Sequence, residues 1–357
     1  MRILVHEFVS GGGLAGKAVP RSLAREGSAM RAALVADLAA LGRHQVVATV
    51  EPRFPLDAPP DVERIMLGQS GRRLDDLIAS TDAVWLVAPE TDRCLERLAS
   101  RVEQRGKALL GSGSAAIRHA SDKANLPRVL ARHGIAHPPT HLLRPTTDWL
   151  ALARVVGYPV VVKPRRGAGC ERVYFARDDR ELRQIIGSVR RTRSRTSFLL
   201  QGYIAGTAAS VSVLTNGHAA VALSLNAQAV RVSRAFSYSG GRTPLRHPLA
   251  ALAIETALRA CDALPGLRGF VGVDMVLSKS EAVVIEVNPR LTTAYLGVRA
   301  ALRGRKHTEE GRNVAAMTLD ACAGTLLIPP PLVRRVRFSA DGLVVSTALL
   351  GSAAQRS

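Results

Sequence analysis

The sequence of 357 residues is poor in lysine, cysteine and aromatic residues, and it contains no long hydrophobic run. Its four cysteines have no paired spacing, which argues against a disulfide framework and against a zinc site. A membrane-spanning helix needs about 18 or more consecutive apolar residues, and no such stretch occurs. His6 and Glu7 interrupt the N-terminal apolar run before a secretory segment could form. We therefore expect a cytoplasmic protein with no membrane partner.

Positive charge is abundant even though lysine is scarce. The chain has 49 Lys and Arg against 29 Asp and Glu, a formal net charge of +20, which excludes an acidic solvating protein. Only six of the basic residues are lysines, so the arginines reflect a coding bias as readily as a function. The arginine run at 190–195 could hold a polyanion, but it lacks interleaved aromatic residues, and these make up only 4% of the chain. We expect a solvated loop there and no nucleic-acid partner.

The first third of the chain alternates between short apolar runs and helical stretches. Strands are predicted at 2–5, 46–50 and 83–88, and helices at 28–41 and 91–105. This alternation indicates a parallel sheet in an α/β domain.

The rest of the chain contains short strands joined in other ways. Strands are predicted at 160–162, 172–176, 198–200, 209–214, 219–225, 270–277, 282–287 and 342–348, with helices at 178–189 and 249–264. The stretch 226–245 is predicted to be a long loop, either functional or a plain surface excursion. The tail from residue 329 opens with three prolines and is predicted to carry one strand.

The segment Gly11–Gly16 matches the pattern G-x-G-x-x-G after a strand. A dinucleotide-binding loop must pass at once into a helix. Here Pro20 and Gly27 intervene, and the amphipathic pattern begins only near Ser28. A flexible loop over a cleft is favoured, and an NAD-dependent dehydrogenase is the alternative.

Three oxygen-bearing side chains lie on two strands that pair across a short turn. Because side chains alternate along a strand, Asp274 can share a face with Glu286 and Asn288. Carboxylate and amide oxygens suit Mg²⁺, and Arg290 could hold a phosphoryl oxygen as a planar cation. The alternative is a solvated strand with ordinary turn residues, although unpaired polar groups would be costly to bury in apolar strands. The pattern predicts a metal and phosphate site.

A lysine on a buried strand precedes a glycine-rich loop. Lys163 offers a point charge to a phosphate, and the backbone amides of Gly167 and Gly169 can approach it closely because no side chain intervenes. Lys123, near a predicted helix start, could make a second phosphate contact.

In order and spacing, these motifs resemble those of the ATP-grasp superfamily. They are Ser121-Asp122-Lys123, then Val161 to Gly169 with its lysine, and then Asp274 with Glu286-Val-Asn288-Pro-Arg290. The resemblance covers roughly 119–330, and residues 1–118 look like the α/β domain that precedes it. It implies an α/β protein, α+β in its catalytic part, with a parallel N-terminal domain (1–118). Two α+β subdomains (119–200 and 201–330) would clasp the nucleotide, and a tail (331–357) would follow.

The resemblance also implies roles for individual residues. Lys123 and Lys163 would bind the α- and β-phosphates of ATP. A hinge between the two subdomains would read adenine, and it comprises Gln201, Gly202, Tyr203 and Ile204. Gly202 replaces a residue that is usually charged, and Ala208 stands where many members have a glutamate for the ribose hydroxyls. Both departures bear on nucleotide affinity and choice.

The implied activity is that of a carboxylate–amine ligase that uses ATP with Mg²⁺ or Mn²⁺ and releases ADP and phosphate through an acylphosphate. Its partners would be a small-molecule carboxylate and an amine. Arg290 would be catalytic, steadying the phosphoryl group or the tetrahedral oxyanion, and Tyr238, Gly240 and Gly241 would contact substrate. Leu-Val-His-Glu-Phe near the start and Asn-Pro-Arg-Leu-Thr-Thr after the metal strands most resemble the branch that contains tyramine–glutamate ligase. An ATP-grasp-like kinase and a non-catalytic nucleotide-binding regulator are the alternatives, and the oligomeric state, a homodimer included, stays open.

Overall fold

The computed structural model describes residues 1–67, 73–191, 196–303 and 310–349. Arg193 and Arg195 of the arginine run, and the tail beyond residue 349, lie outside these ranges. Within them, no helix is both long enough and apolar enough to cross a membrane.

The N-terminal part is a five-stranded parallel sheet in the order β3-β2-β1-β4-β5. Its strands are β1 (Arg2–Glu7), β2 (Gln45–Val50), β3 (Glu63–Met66), β4 (Ala83–Val87) and β5 (Ala108–Leu109), and its helices are α1 (Arg21–Ala39), α2 (Leu74–Ala79) and α3 (Cys94–Gln104). Helices cover both faces of the sheet, so Ile3, Leu4 and Val5 are fully buried although they point to alternating faces. This explains why the strands are continuous apolar runs, and the predicted parallel α/β fold is confirmed.

Two short helices, α4 (Ser114–Ala120) and α5 (Leu126–Arg132), lead into a four-stranded antiparallel sheet in the order β6-β9-β7-β8. Its strands are β6 (Thr140–Leu143), β7 (Val160–Pro164), β8 (Tyr174–Ala176) and β9 (Phe198–Gly202), and its helices are α6 (Trp149–Val156) and α7 (Asp179–Arg191). Asp148 begins α6 by accepting hydrogen bonds from the backbone amides of Leu150 and Ala151.

The third sheet has seven antiparallel strands in the order β14-β13-β10-β11-β12-β15-β16. Its strands are β10 (Thr207–Thr215), β11 (Ala220–Val232), β12 (Phe236–Thr243), β13 (Gly269–Leu277), β14 (Ala282–Asn288), β15 (Arg334–Ser339) and β16 (Val344–Leu349), and the helices in this part are α8 (Ala250–Asp262), α9 (Ala294–Leu302) and α10 (Val314–Cys322). The predicted α+β character of the second half is confirmed.

A buried carboxylate joins the N-terminal part to this third sheet. Asp37 on α1 accepts hydrogen bonds from the Tyr295 hydroxyl at 2.6 Å and from the guanidinium groups of Arg299 and Arg303. Three donors to one carboxylate compensate its removal from water. The contact fixes α1 against α9.

Three predictions need correction. The stretch 226–245 is not a loop, because it forms the end of β11 and all of β12, which pair as a hairpin. Helix α1 begins at Arg21 rather than near Ser28, since Pro20 lies just outside the helix and Gly27 is accommodated inside it. The tail carries two described strands, β15 and β16, rather than one.

Candidate active site

A cleft lies between the four-stranded and seven-stranded sheets. Strands β7, β9, β10, β11, β12, β13 and β14 contribute side chains to it, and the N-terminal part contributes Glu26 from α1. Most of the predicted site residues line this cleft, namely Lys123, Lys163, Gly167, Gly169, Gln201, Gly202, Tyr203, Ile204, Tyr238, Asp274, Glu286, Asn288 and Arg290.

The pairing of β13 with β14 places Asp274 directly opposite Glu286. Asp274 is also held by two amide donors, Gln228 Nε2 at 2.8 Å from Oδ1 and Asn288 Nδ2 at 3.0 Å from Oδ2. Burial and the neighbouring Glu286 carboxylate raise the pKa of Asp274 well above its usual range. Burial opposes the charge of Glu286 as well, but Lys123 and Lys163 lower its pKa below the usual value.

This donor set fits a hard divalent cation. Two carboxylates that face each other at close range repel, and a cation between them would relieve the repulsion that raises the pKa of Asp274. Among the described residues, no group of three or more His, Cys, Asp and Glu side chains could hold a metal. A metal site here therefore needs the side-chain oxygen of Asn288 as a third ligand, beside the carboxylates of Asp274 and Glu286.

Two buried lysines face these carboxylates. Lys163 on β7 is 5% exposed, and burial lowers its pKa to about 8. Lys123 Nζ lies 2.9 Å from Glu286 Oε2 and donates to the carbonyl oxygen of Gly167 at 2.9 Å. Burial acts against the charge of Lys123, but Glu286 and Glu90 outweigh it, so its pKa is raised.

Lys123 lies near a helix start, as the sequence predicts, but it stands just outside the helix. The Ser121-Asp122-Lys123 segment lies between α4 and α5, three residues before α5 begins at Leu126. Asp122 organises the segment because its side chain accepts a hydrogen bond from the Ala124 amide and its carbonyl oxygen accepts from Asn125 and Leu126. The glycine-rich loop follows β7, and Gly169 has a φ of 69°, a conformation that suits glycine.

The hinge residues line the cleft, but several of their polar groups already have partners. Gln201 Nε2 donates to Thr140 Oγ1 at 2.7 Å. The backbone amides of Gly202 and Tyr203 donate to the carbonyl oxygens of Pro139 and Pro159. These groups are therefore engaged within the protein.

Gly240 and Gly241, predicted to contact substrate, do not line the cleft. A Cβ atom at Gly240 would lie 2.1 Å from the carbonyl oxygen of Phe338 on β15, and Gly241 is similarly close to Ala227 on β11. The glycine pair allows β12 to pair closely on both sides. Tyr238 does line the cleft.

Arg290 connects the cleft to the N-terminal part. Its guanidinium group makes a two-pronged ion pair with Glu90, with Nε 2.8 Å from Oε1 and Nη2 2.9 Å from Oε2. Glu90 follows β4, at the carboxyl end of the parallel sheet, and is 3% exposed. Glu26 lines the same end of the cleft and accepts a hydrogen bond from the Thr293 hydroxyl.

Sequence reasoning missed Glu26, Glu90 and Gln228. A signal existed for Glu90, since ligands of open α/β sheets bind beyond the carboxyl ends of the strands, and Glu90 stands three residues after β4. Glu26 lies on α1 ahead of the predicted start near Ser28, and Gln228 lies on β11 within the stretch predicted to be a loop. Neither could be assigned to a face without those elements.

The loop at Gly11–Gly13 is not part of this cleft's lining. It belongs to a short π-helical turn, Val9–Gly13, and the Glu7 carboxylate accepts hydrogen bonds from the amides of Val9 and Ser10 and from the Ser10 hydroxyl. The backbone amides at the start of this turn are thus already engaged by a carboxylate of the protein itself. This geometry gives the dehydrogenase interpretation no support.

Two domain families match the chain. The pre ATP-grasp 3 domain matches residues 44–117, and the ATP-grasp domain matches residues 120–294. The chain therefore belongs to the ATP-grasp superfamily, as the motifs had indicated.

Individual relatives agree with this assignment. A tyramine–L-glutamate ligase of Methanocaldococcus fervens is 26% identical over 234 residues, which cover 64% of this chain and 65% of that ligase. The crystal structure of a putative ATP-grasp superfamily protein from Archaeoglobus fulgidus has a TM-score of 0.68 and 27% identity, and covers 94% of this chain and 92% of its own. The L-amino acid ligase from Bacillus licheniformis, with a TM-score of 0.67 and 17% identity, shares the fold over 94% of this chain and 79% of its own. The chain thus spans just under two thirds of the curated ligase and nearly the whole length of the Archaeoglobus protein.

Proposed function

We propose that the protein is an ATP- and Mg²⁺-dependent carboxylate–amine ligase that forms an amide through an acylphosphate. A substrate carboxylate oxygen would attack the γ-phosphorus of ATP, and ADP would leave. The amine nitrogen would then attack the acyl carbon, phosphate would leave, and the nitrogen would lose a proton to give the neutral amide.

The observation that carries the proposal is the convergence of opposite charges in one cleft. Lys123 and Lys163 lie on one side, and Asp274 and Glu286 on the other, all of them largely buried. Buried charges are costly unless they are paired or meet a charged ligand. A nucleotide triphosphate with its cation would complement both sets.

Each group has a distinct role in the proposal. The lysines would bind the phosphates and neutralise charge as the γ-phosphoryl group is transferred. Asp274, Glu286 and Asn288 would hold Mg²⁺ or Mn²⁺, which supplies charge neutralisation at the phosphates. Gln228 would keep the Asp274 carboxylate oriented, because its amide already donates to it. No side chain needs to become covalently attached.

The adenine base would be read by the backbone at Ile204. The amides of Gly202 and Tyr203 donate within the protein, whereas Ile204 lines the cleft beyond them. Val161, Val173 and Phe236 would provide apolar contacts to the ring. Gln201 would support the hinge through Thr140 rather than touch the base.

The acceptor substrates would bind at the end of the cleft that faces the N-terminal part. Arg290, oriented by Glu90, would stabilise the phosphoryl group or the oxyanion. Glu26, beside Thr293 and Tyr238, offers a negative charge to an ammonium group before the amine is deprotonated. A site with both a guanidinium and a carboxylate suits amino acids and amines, and tyramine and L-glutamate are the first pair to test because a relative is named for them.

The test is a turnover assay with Mg-ATP, a panel of amino acids, a panel of amines, and a carboxylate substrate labelled with ¹⁸O. We expect ADP and phosphate in equal amounts, an amide detected by mass spectrometry, and one ¹⁸O atom transferred from the carboxylate to the phosphate. Lys163→Met should abolish turnover, while Lys279→Met, at an exposed lysine outside the cleft, should not change it.

Other products would contradict the proposal. AMP and pyrophosphate would exclude an acylphosphate. ADP with a stable phosphorylated product and no need for an amine would select a kinase. Tight ATP binding without turnover for any pair would select a regulatory protein.

A further inference from the structure

A second cleft, of about 460 Å³, lies between the α4–α5 region and β6. Arg165 and Arg166, which follow β7, form part of its wall. It shares no lining residue with the cleft described above. Cavities of roughly 300 to 1,000 Å³ hold small-molecule ligands in proteins.

The lining of this second cleft is strongly basic. Its five arginines are Arg118, Arg128, Arg144, Arg165 and Arg166, and its histidines are His119 and His141. Asp122 is the one carboxylate among the lining residues. The cleft therefore concentrates positive charge well beyond what its own lining can neutralise.

The two walls differ in how their arginines are paired. Arg165 makes a two-pronged ion pair with Asp122, at 2.7 and 2.5 Å, and Arg118 and Arg166 contact Glu96 at 2.9 and 3.3 Å. On the other side, Arg128 on α5 and Arg144 after β6 are exposed. Within the described ranges, no carboxylate lies within 4 Å of either guanidinium group.

We propose that this cleft is a second anion site, separate from the ATP cleft, for a small molecule that carries phosphoryl groups. A guanidinium group presents a planar fork of donors that matches the oxygens of a phosphate. Arg128 and Arg144 supply two such forks to the same space, and the adjacent histidines supply further donors. The volume of the cleft favours a metabolite over a nucleic-acid strand.

The second cleft is connected to the ATP cleft through one short segment. Asp122, which holds Arg165 and lies 3.6 Å from Arg166, is followed directly by Lys123. The Lys123 backbone amide donates to the carbonyl oxygen of Arg165 at 3.2 Å. An anion that draws Arg165 or Arg166 away from Asp122 would disturb the segment that positions Lys123, so occupancy of the second cleft should change the affinity for ATP.

The test is calorimetric titration of inorganic tripolyphosphate into the full chain in metal-free buffer. The wild-type protein should bind two equivalents, one in each cleft. Lys163→Met should remove the binding that ATP competes with. Arg128→Glu with Arg144→Glu should weaken the other binding at least tenfold and leave the ATP-competed one in place.

The matched control is Arg183→Glu with Arg190→Glu, at two exposed positions of α7. Helix α7 packs against β8, and β8 and β6 are the opposite edges of the four-stranded sheet. This control variant changes the net charge by the same amount and should leave both equivalents in place. A single equivalent in the wild type would overturn the proposal, because the second cleft would then bind no anion. An equal loss in the control would also overturn it, because the anion would then respond only to overall charge. Circular dichroism checks folding, and Arg128→Gln with Arg144→Gln replaces the double reversal if that variant does not fold.

Discussion

The buried charge of Lys163 should lower the free energy of unfolding of the ligand-free protein. Replacing Lys163 with methionine should therefore make the protein more stable and weaken its binding of nucleotide. The side chain is buried, and its pKa falls from 10.5 to about 8. At 1.36 kcal/mol per pKa unit, the cost of keeping the charge at pH 7 is about 3 kcal/mol. Methionine has a similar volume and no charge.

The gain is offset in part because Glu286 loses one of its two lysine partners. We expect Lys163→Met to raise the free energy of unfolding at pH 7 by about 1 to 3 kcal/mol. It should also weaken binding of Mg-ATP by about 10- to 100-fold, since a hydrogen bond to a charged group contributes about 1.5 to 3 kcal/mol.

The pH dependence provides the decisive measurement. A lysine whose pKa is lowered by folding binds its proton less tightly in the folded state, so between about pH 8 and 10.5 the unfolded chain holds more protons than the folded one. Stability therefore rises with pH through this window in the wild type, and the variant lacks that rise. The urea concentration at the unfolding midpoint should differ most between the wild type and Lys163→Met at pH 7. At pH 9.5 this difference should be less than half as large.

Lys279→Met, at an exposed lysine, is the control and should show no such pH-dependent difference. If Lys163→Met were destabilised to the same extent at both pH values, the lysine would contribute packing or pairing that exceeds its burial cost. The reasoning from burial would then be refuted.

Three further predictions concern the same cleft. Glu90→Ala leaves Arg290 buried without its partner and should cost about 3 to 5 kcal/mol, seen as a lower thermal midpoint, and an unchanged midpoint would mean that the pair is not needed for the fold. Gln228→Leu removes one of the donors that orient Asp274 and should weaken Mn²⁺ binding about 10- to 100-fold in a titration followed by electron paramagnetic resonance, whereas Gln184→Leu on exposed α7 should not. Ala208→Glu adds a carboxylate to the lining of the cleft and should lower the KM for ATP, relative to that for 2′-deoxy-ATP, by up to about tenfold. An equal change in KM for both nucleotides would show that residue 208 does not contact the ribose.

The parts of the fold that the sequence predicted correctly depend on local patterns. Apolar runs such as 83–88 identify buried parallel strands because both faces of the sheet are covered. The paired strands β13 and β14 are joined by a short turn, so Asp274 and Glu286 could be placed on one face from spacing alone.

The parts that were missed depend on distant residues. Strand β12 contains Gly240 and Gly241, which are poor strand formers, and it is stabilised by pairing with β15, almost a hundred residues later in the chain. Position 27 of α1 requires glycine because α1 packs closely against Glu7. A Cβ atom at this position would lie 2.7 Å from the carboxyl atoms of Glu7. Such partners cannot be read from a local pattern.

The Arg290–Glu90 ion pair has a consequence for how such proteins can be recombined. One end of the cleft is built by residues from the N-terminal part, Glu26 and Glu90, and by residues that follow β14, Arg290 and Thr293. A chimera that exchanges residues 1–118 for those of a relative would therefore replace Glu26 and Glu90, while Lys163, Asp274 and Glu286 at the other end stay the same. The chimera should acquire the substrate preference of the relative only when Thr293 and Arg290, the partners of Glu26 and Glu90, are exchanged as well.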